Sequence, residues 1–381
     1  MTDTRARTTA PPAGCTTELV TDEAHFADLA PQWARLHARC ASATPFQSHA
    51  WLHAWWRSYG TRGRLRLVLA RDGRDLVAAA PLTLVRRPVP ALVPLGGAIS
   101  DYGDVLVDDE RGPDAVAALT EGLSRAARTA LVDLREVRPG AAAERVYERW
   151  RGPRRRLADS LCLELPALPM DELVARLPSA KARQRVRAQL RRLDSLGVKS
   201  RTVLPDEVDA ALRRLLELHR LQWQDRKVTG EHLKPRFRDH LVRAVRPMVC
   251  AGDAVVTEFR MDDEVVAVDV TLLSRRLAGG YLYGAHPRLR ERRADVAVML
   301  LDASAEHTRQ PGRGTLSLLR GNEPYKHHWR PDAVSNQRLL LARRRTAPLL
   351  AAALGDAAAR RRGKALLRRP ERKEGDGGGG T

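Results

Sequence analysis

The strongest constraint on the fold is a pattern of segments that occurs twice. Residues 64–82 read RLRLVLARDGRDLVAAAPL, and residues 254–272 read AVVTEFRMDDEVVAVDVTL. In each segment two apolar-rich runs flank a short acidic turn, which predicts a β-hairpin. The same layout at two distant places in the chain predicts a duplicated α/β unit, in which each copy has its own hairpin.

The length of the chain agrees with two copies. A chain of 381 residues exceeds what one ordinary hydrophobic core supports, and it suits two domains of about 150–180 residues each. We therefore predict an N-terminal domain over residues 15–165 and a C-terminal domain over residues 166–345. The predicted linker, residues 165–171, contains two prolines. Outside the domains we predict a disordered N-terminus over residues 1–14 and a basic, partly disordered tail over residues 346–381.

The excess positive charge is concentrated in two segments. The formal net charge is +20, of which residues 176–201 carry +8 and residues 357–381 carry +5. This distribution differs from that of a uniformly cationic protein that coats nucleic acid. The first segment contains a predicted basic amphipathic helix, residues 181–197. Its arginine face is a solvated surface, a site for an anionic acceptor such as a nucleotide sugar, or a nucleic-acid surface, although no helix-turn-helix, zinc or RNP signature accompanies it.

Several classes of protein are excluded by what the sequence lacks. The four cysteines lie far apart, with no C-x-x-C pair and no histidine at ligand spacing, so we predict no metal site and no disulfide framework. The N-terminal residues contain no apolar stretch of the kind found in signal peptides. No apolar run approaches the ~20 residues that span a bilayer. We therefore expect a soluble, cytoplasmic protein.

The predicted elements of the second half, together with several motifs, resemble a known superfamily. After the second hairpin come a strand at residues 280–284, a helix at 295–309, a strand at 315–320, a short helix at 324–329 and a strand at 336–343. The motifs are TPFQSHAWLHAWW, KARQRVRAQLRRLDSLG, LHRLQW, YLYGAHP and, most specifically, LLRGNEPYKHHWRP. On these residues the chain resembles GNAT N-acetyltransferases of the BioF2-like/CelD type, which are related to the Fem aminoacyltransferases. The resemblance implies an α/β fold of two GNAT-like domains in tandem, each a mixed central sheet flanked by helices.

The resemblance also implies acetyl-CoA or another acyl-CoA as co-substrate. Its pantetheine arm is expected to add to the edge of the strand at Tyr283 and Gly284, where free N–H groups can polarise the thioester carbonyl. A phosphate-binding loop is expected next, but here the arginine-rich sequence RLRERR replaces the usual glycine-rich pattern. The loop either binds pyrophosphate by charge or is a solvated basic loop, and its arginines are Arg288, Arg290, Arg292 and Arg293.

The closing motif contains the candidate catalytic residues. The GNAT arrangement places an Asn after the fifth strand and a Tyr shortly afterwards, and Asn322 and Tyr325 match that layout. The Tyr325 hydroxyl would protonate the departing CoA thiolate, or else the residue is structural. Lys326 matches the aromatic–Lys pair of Fem-type enzymes, in which the cation would stabilise an oxyanion or a substrate anion.

The general base and the acceptor site are less sharply defined by the sequence. Glu323 in the closing loop, and Glu258 and Asp269 on the second hairpin, are carboxylates that could deprotonate an amine. The predicted acceptor-binding residues are three arginines of the basic helix and the tryptophan of LHRLQW, namely Arg183, Arg187, Arg191 and Trp223.

Two functions follow from these patterns. The first is an N-acyltransferase in which an amine attacks the acyl-CoA directly, because no G-x-S-x-G elbow or Cys–His pair suggests a covalent intermediate. Its acceptor is predicted to be a small-molecule or nucleotide-linked amine rather than nucleic acid. The second is a catalytically inactive GNAT-like protein that binds an anionic partner. The residues of the closing motif favour the first function, and the missing loop glycines favour the second.

Overall fold

The computed structural model describes residues 14–222, 230–308 and 312–367, which form a mixed α/β fold, as predicted. The strands are β1 (Cys15–Val20), β2 (Leu65–Asp72), β3 (Asp75–Val85), β4 (Ala91–Pro94), β5 (Leu106–Val107), β6 (Leu131–Val137), β7 (Arg154–Pro166), β8 (Lys199–Thr202), β9 (Ala254–Met261), β10 (Glu264–Leu273), β11 (Leu277–Ala285), β12 (Thr315–Arg320) and β13 (Asp332–Leu341). The helices are α1 (Glu23–Asp28), α2 (Ala30–Arg39), α3 (His49–Tyr59), α4 (Gly112–Ala126), α5 (Ala142–Arg149), α6 (Met170–Ala175), α7 (Ala180–Ser195), α8 (Val208–Gln222), α9 (Pro235–Ala251), α10 (Arg288–Glu291), α11 (Val296–Glu306) and α12 (Ala347–Leu367).

The strands of both halves of the chain join one sheet. Its order is β1-β2-β3-β4-β6-β13-β7-β12-β11-β10-β9-β8, and β5 pairs with β3 beside this path. Counted from each edge of the sheet towards its centre, the strands follow in the same chain order. From one edge they are β1, β2, β3, β4 and β6, which correspond to β8, β9, β10, β11 and β12 from the other edge. Each half of the sheet is completed by a strand from the other half of the chain. Strand β13 of the second half pairs with β6, and β7 of the first half pairs with β12. The domain boundary at residue 165 lies at the end of β7 and stays a prediction.

The two hairpins predicted from the repeated segments are confirmed as β2–β3 and β9–β10. Both turns contain left-handed backbone conformations, but different residue types adopt them. A two-residue hairpin turn needs a left-handed backbone, which glycine adopts most easily. Gly73 has φ 59° in the first turn, whereas Asp262 (φ 51°) and Asp263 (φ 61°) adopt this conformation in the second.

Each hairpin is followed by a parallel pair of strands that soon diverge. In the first half β4 pairs with β6 over two positions, and in the second half β11 pairs with β12 over three. Beyond these positions each pair opens into a gap. We call the gap between β4 and β6 the first cleft and the gap between β11 and β12 the second cleft.

The first cleft is filled by the chain that follows β4, residues 95–104. The Gly103 N–H donates to the Glu136 carbonyl on β6 at 2.8 Å. The same segment is held from the helical side, where Trp51 Nε1 donates to Ser100 Oγ at 2.8 Å. A Cβ on Gly103 would lie 2.2 Å from the Arg135 carbonyl oxygen, so this close approach requires glycine.

The ends of the chain are described only in part. Residues 1–13, most of the predicted disordered N-terminus, and residues 368–381 of the predicted tail lie outside the described residues. The beginning of that tail forms α12, whose Leu350 and Ala353 pack in a core cluster with Leu131 and Leu340. Among the helices that the structure describes, none combines the length and the apolar character needed to cross a membrane.

Candidate active site

The second cleft contains a cavity of about 470 Å³. Strands β10, β11 and β12, helix α11 and the closing loop contribute to its lining, and residues 98–101 of the first half form part of its wall. Both facing strands are irregular at this point. On β11 Tyr281 is an extra residue, because Val270 pairs with Leu282 while Thr271 pairs with Gly280. A bulge of this kind ends regular pairing and bends the strand, so it helps to keep the cleft open.

The second strand of the cleft, β12, is irregular as well. Its pairing with β7 shifts between Ser317 and Arg320, and Leu319 between them has a left-handed backbone, with φ 58°. The Leu319 N–H donates to Ser317 Oγ at 3.0 Å instead of joining a strand partner. The two irregular strands therefore face each other across the same cavity, which both Leu319 and Tyr281 line.

Asp269 on β10 is a carboxylate that lines this cavity. Its side chain is only 3% exposed, and it lines the cavity beside Gly280 and Ser304. Thr271 Oγ1 donates to its Oδ2 at 2.8 Å, and no other hydrogen bond to the carboxylate occurs within the described ranges. Burial raises the pKa of Asp269 to about 7, although the hydrogen bond from Thr271 opposes this shift.

Glu258, the other hairpin carboxylate that the sequence suggested, has a different environment. It is 1% exposed on β9 and lies between two arginines, with Arg201 Nη2 at 2.8 Å and Arg214 Nη1 at 2.5 Å. It does not line the cavity of the second cleft. The hypothesis that Glu258 is the base is therefore not supported, since its charge is used in a buried ion-pair cluster.

Tyr325 of the closing motif lines the cavity and is 44% exposed. Partial burial, together with the nearby Tyr283 and Glu323, raises its pKa above the ordinary value, so the phenol keeps its proton. Tyr283, a predicted cofactor-binding residue, lines the same cavity and accepts a hydrogen bond from Gln222 Nε2 at 3.1 Å. The structure thus brings these two tyrosines to one site.

The remaining residues of the closing motif divide into two groups. Glu323 and Lys326 line the cavity, where Lys326 Nζ lies 2.8 Å from Glu323 Oε2 and donates to the Arg320 carbonyl at 3.1 Å. Asn322 does not line it, because its exposed side chain contacts His327 instead. The predicted catalytic group therefore comes together except for Asn322.

A wall of the second cleft comes from the first half of the chain. Arg320 on β12 joins the two, with its Nε 3.1 Å from Asp101 Oδ1 and its Nη1 3.1 Å from Glu136 Oε1. Arg320 also donates to the Ala98 carbonyl, and Tyr281 donates from its hydroxyl to the Ile99 carbonyl at 2.9 Å. We did not predict this contribution from the sequence. The glycine-rich run GGAISDYG at residues 96–103 is the signal that could have indicated it.

The predicted phosphate loop forms α10 and the residues before α11. Arg288 is tied to the second hairpin, where its guanidinium pairs with Glu264. Arg290, Arg292 and Arg293 are exposed.

The helix end that normally binds an anion is capped in this chain. Helix α11 begins after Asp295, whose Oδ1 accepts from the Ala297 and Val298 N–H groups at 3.1 and 3.2 Å. A carboxylate therefore occupies the position where free N–H groups would otherwise attract phosphate. Any phosphate binding by this loop would rest on its arginines.

The predicted acceptor arginines lie on α7, outside the cavity. Arg187 and Arg191 are exposed, whereas Arg183 donates to the Leu177 carbonyl at 2.7 Å. The next arginine, Arg192, donates to the Arg292 carbonyl at 3.1 and 3.3 Å. This contact joins the C-terminal end of α7 to the arginine loop. We call the exposed arginines of the two segments together, Arg187, Arg191, Arg192, Arg290, Arg292 and Arg293, the arginine surface.

Trp223 and Gly284 are the two remaining predicted site residues. Trp223, the fourth predicted acceptor residue, lies outside the described residues. Gly284 is buried against α8, where an added Cβ would lie 2.2 Å from the Leu215 carbonyl oxygen and 2.6 Å from the His219 nitrogen. Glycine is needed there for close packing of helix on strand, whatever its role towards a cofactor.

Comparison with known proteins agrees with this architecture. Residues 180–327 match a family model described as an acetyltransferase (GNAT) domain. FemX has a similar structure (TM-score 0.58, 10% identity, 85% of this chain and 96% of that one). So do the C-terminal domain of a candidate lysylphosphatidylglycerol synthetase from Agrobacterium fabrum (0.54, 14%, 88% and 97%) and L-PGS from Bacillus licheniformis (0.50, 14%, 78% and 93%). At such low identities the three structures share the fold with this chain. No curated protein matched the sequence.

Proposed function

We propose that the chain is an N-acyltransferase that works in the second cleft, because residues 180–327 match a GNAT acetyltransferase family model and the fold is similar to that of FemX. In the proposed reaction an amine nitrogen attacks the carbonyl carbon of an acyl-CoA. The carbon–sulfur bond breaks, an amide forms, and free CoA leaves as the thiol. The observation that carries the proposal is the buried carboxylate of Asp269, with its pKa near neutrality, inside the cavity of that cleft.

Asp269 is suited to the role of general base. A base works best when its pKa lies near the operating pH, because it is then partly ionised and still accepts a proton readily. The raised pKa of Asp269, about 7, meets this condition. Its second oxygen, Oδ1, has no hydrogen-bond donor among the described residues and is available to an incoming amine. We propose that it removes the proton that the amine loses on attack.

Tyr325 is suited to the complementary role of acid. Its raised pKa keeps the phenol protonated at neutral pH, and the residue lines the same cavity as Asp269. It would give its proton to the leaving thiolate and later regain one from solvent. Lys326 has three donor hydrogens, and its two interactions leave one for an oxyanion or a substrate anion. Its ion pair with Glu323 would hold this part of the loop in place.

The arginine surface is the proposed site for the anionic end of the donor. Arg290, Arg292 and Arg293 are exposed on the loop, and Arg187 and Arg191 are exposed on α7, which contacts the loop through Arg192. Because Asp295 caps α11, binding there would depend on side-chain charge and would weaken as salt is added.

A second candidate is transfer of an aminoacyl group. The capped end of α11 favours it, since that cap removes the usual anion site for a CoA pyrophosphate. The name of the similar candidate lysylphosphatidylglycerol synthetase from Agrobacterium fabrum also points to an aminoacyl product. The same base, acid and cleft would serve this reaction, and the donor alone would differ.

The test is a transfer assay with the full chain, a panel of acyl-CoAs and aminoacyl donors, and a panel of amines, with the products identified by mass spectrometry. We expect an amide product whose rate falls about 10²–10⁴-fold in Asp269→Asn. The matched control is Asp159→Asn, which removes a carboxylate paired with Arg135 outside the cavity and should leave the rate unchanged. Product only from aminoacyl donors would favour the second candidate. No product from any donor would favour the inactive binding protein.

A further inference from the structure

The second cleft holds more negative charge than its own cations balance. Six charged side chains line the cavity or pair directly with a residue that does: Asp101, Glu136, Asp269, Glu323, Arg320 and Lys326. Four carboxylates therefore face two cations. His219 and His232 also line the cavity, but burial lowers the pKa of both, to about 4 for His232, so they stay neutral at neutral pH.

The cations are already engaged. Lys326 lies 2.8 Å from Glu323 and balances that carboxylate. Arg320 is shared between Asp101 and Glu136, each at 3.1 Å, so that one positive charge serves two carboxylates. Within the part of the chain that the structure describes, no other arginine or lysine lines the cavity. The excess negative charge therefore lies with Asp101 and Asp269. Burial raises the pKa of both carboxyl groups, so this excess increases as the pH rises.

Asp101 remains open to the cavity in spite of its ion pair. Its side chain is 13% exposed, and Arg320 Nε binds only its Oδ1 at short distance. The Oδ2 atom lies 3.4 Å from the Arg320 backbone nitrogen, a long contact that leaves room for a second donor. Asp269, which is 97% shielded, also has an oxygen without a donor. Two carboxylate oxygens from the two halves of the chain thus reach one small cavity.

We infer that the acceptor carries a second positive charge, which Asp101 binds while the reactive amine lies at Asp269. This inference rests on the proposed function and adds the class of acceptor, a diamine or another amine with a second cationic group. Within one cavity of about 470 Å³ a single small molecule can reach both carboxylates. The arginine surface, which has the opposite sign, would bind the anionic end of the donor outside the cavity, away from the cationic end of the acceptor.

The test measures, by titration calorimetry, the equilibrium binding of 1,5-diaminopentane and of n-pentylamine to the full chain at pH 8. Both amines are cationic at this pH, so they differ in the second charge. We expect the diamine to bind about 10-fold more tightly or better, because a second charge pair in a partly buried site is worth more than an exposed one. In Asp101→Asn the affinity for the diamine should fall to that for the monoamine. Pentylamine should bind as in the wild type.

The controls separate this inference from the proposed function. Asp159→Asn, which removes a carboxylate outside the cavity, should change neither affinity. Equal affinities of the wild type for the two amines would overturn the inference, and this comparison needs no variant to fold. Equal weakening of both amines in Asp101→Asn would overturn it too. Absence of acyl transfer alongside an intact diamine preference would instead overturn the proposed function alone.

Discussion

The two clefts of the sheet start from the same plan and end differently. Each follows a hairpin, and each opens where a short parallel pairing of strands ends. The first cleft is filled by residues 95–104, which bond to β6, whereas the second keeps a cavity of about 470 Å³. The segment that fills the first cleft forms part of the wall of the second. The proposed site therefore lies in the second half of the chain, and the corresponding unit of the first half supports that site by forming part of its wall.

The corresponding residues of the two hairpins show the same division. Counted from the first residue of each repeated segment, Asp269 corresponds to Ala79. Both side chains are buried, and Asp269 lines the cavity of the second cleft, which Ala79 does not. A carboxylate is difficult to bury without a partner, so its retention in one half points to a function that the other half lacks.

The largest effect that we expect concerns the acid of the second cleft. Tyr325→Phe keeps the ring and removes the hydroxyl, so kcat should fall about 10²–10⁴-fold while the free energy of unfolding stays nearly constant. Steady-state kinetics and a thermal melt of the same preparation measure the two quantities. A lower melting temperature with full turnover per folded molecule would mean that Tyr325 is structural.

A second prediction uses the stability of the chain at Asp269. The pKa of this residue is raised, so between about pH 4 and pH 7 the folded state binds more protons than the unfolded state, and its stability falls as pH rises. Asp269→Asn removes that effect. The variant should be more stable than the wild type at pH 8, by no more than about 4 kcal/mol, and nearly equal at pH 4.

Chemical denaturation at the two pH values measures this difference. Asp159→Asn should instead be less stable than the wild type at neutral pH. Burial raises the pKa of Asp159, but Arg135 and the Glu136 N–H outweigh burial and lower it overall. An Asp269→Asn variant that is destabilised equally at pH 4 and pH 8 would show that burial does not raise the pKa of Asp269.

A third prediction compares glycines in the filled and open clefts. In the first cleft Gly103→Ala would place its Cβ 2.2 Å from the Arg135 carbonyl oxygen, so unfolding free energy should fall by about 1–3 kcal/mol. In the second cleft an alanine at Gly280 would meet Ser304 Oγ at 3.5 Å and Asp269 Oδ1 at 4.0 Å, which are ordinary contacts. Denaturant titration should show little loss for Gly280→Ala. Equal losses at both positions would contradict the distinction between the clefts.

The smallest expected effect concerns the arginine surface. Reversal of Arg187 and Arg191 to Glu should raise the KM for the donor several-fold, and added salt should reduce the difference from the wild type. Reversal of Arg125 and Arg128 on the first half of the chain gives the same change in net charge. That control should leave the donor KM unchanged. Identical responses of the two variants would show that α7 is only a solvated face.

Local patterns predicted the parts of the fold that local interactions determine. The two hairpins are confirmed because strand periodicity and turn residues lie within a few positions of each other. The long strand β7 was missed, and so was its exchange with β13. Those pairings join residues far apart in the chain, as between Arg154 and Leu341. No periodicity within either segment specifies such a partner.

In the candidate site, too, the sequence predicted what local motifs determine and missed what depends on distant parts of the chain. The closing motif identified Tyr325 and Lys326 as candidates before their surroundings were known, and both line the cavity. Asp269 and Glu258 looked alike in sequence, since both are carboxylates on the same hairpin. They differ because two arginines reach Glu258 from β8 and α8, whereas Asp269 pairs with no cation among the residues that the structure describes. Asp101 was missed because its place depends on how the first cleft is filled.

The central claim is that the second cleft carries out acyl transfer with Asp269 as its base. Its most direct test is the pH dependence of kcat/KM for the wild type and for Asp269→Asn, with the donor and amine that the transfer assay identifies. We predict that the wild-type rate rises with pH through about 7 and then levels off, as Asp269 loses its proton. The residual rate of Asp269→Asn should lack this step. A wild-type profile without a transition near pH 7, or an Asp269→Asn variant that keeps both the transition and the full rate, would contradict the claim.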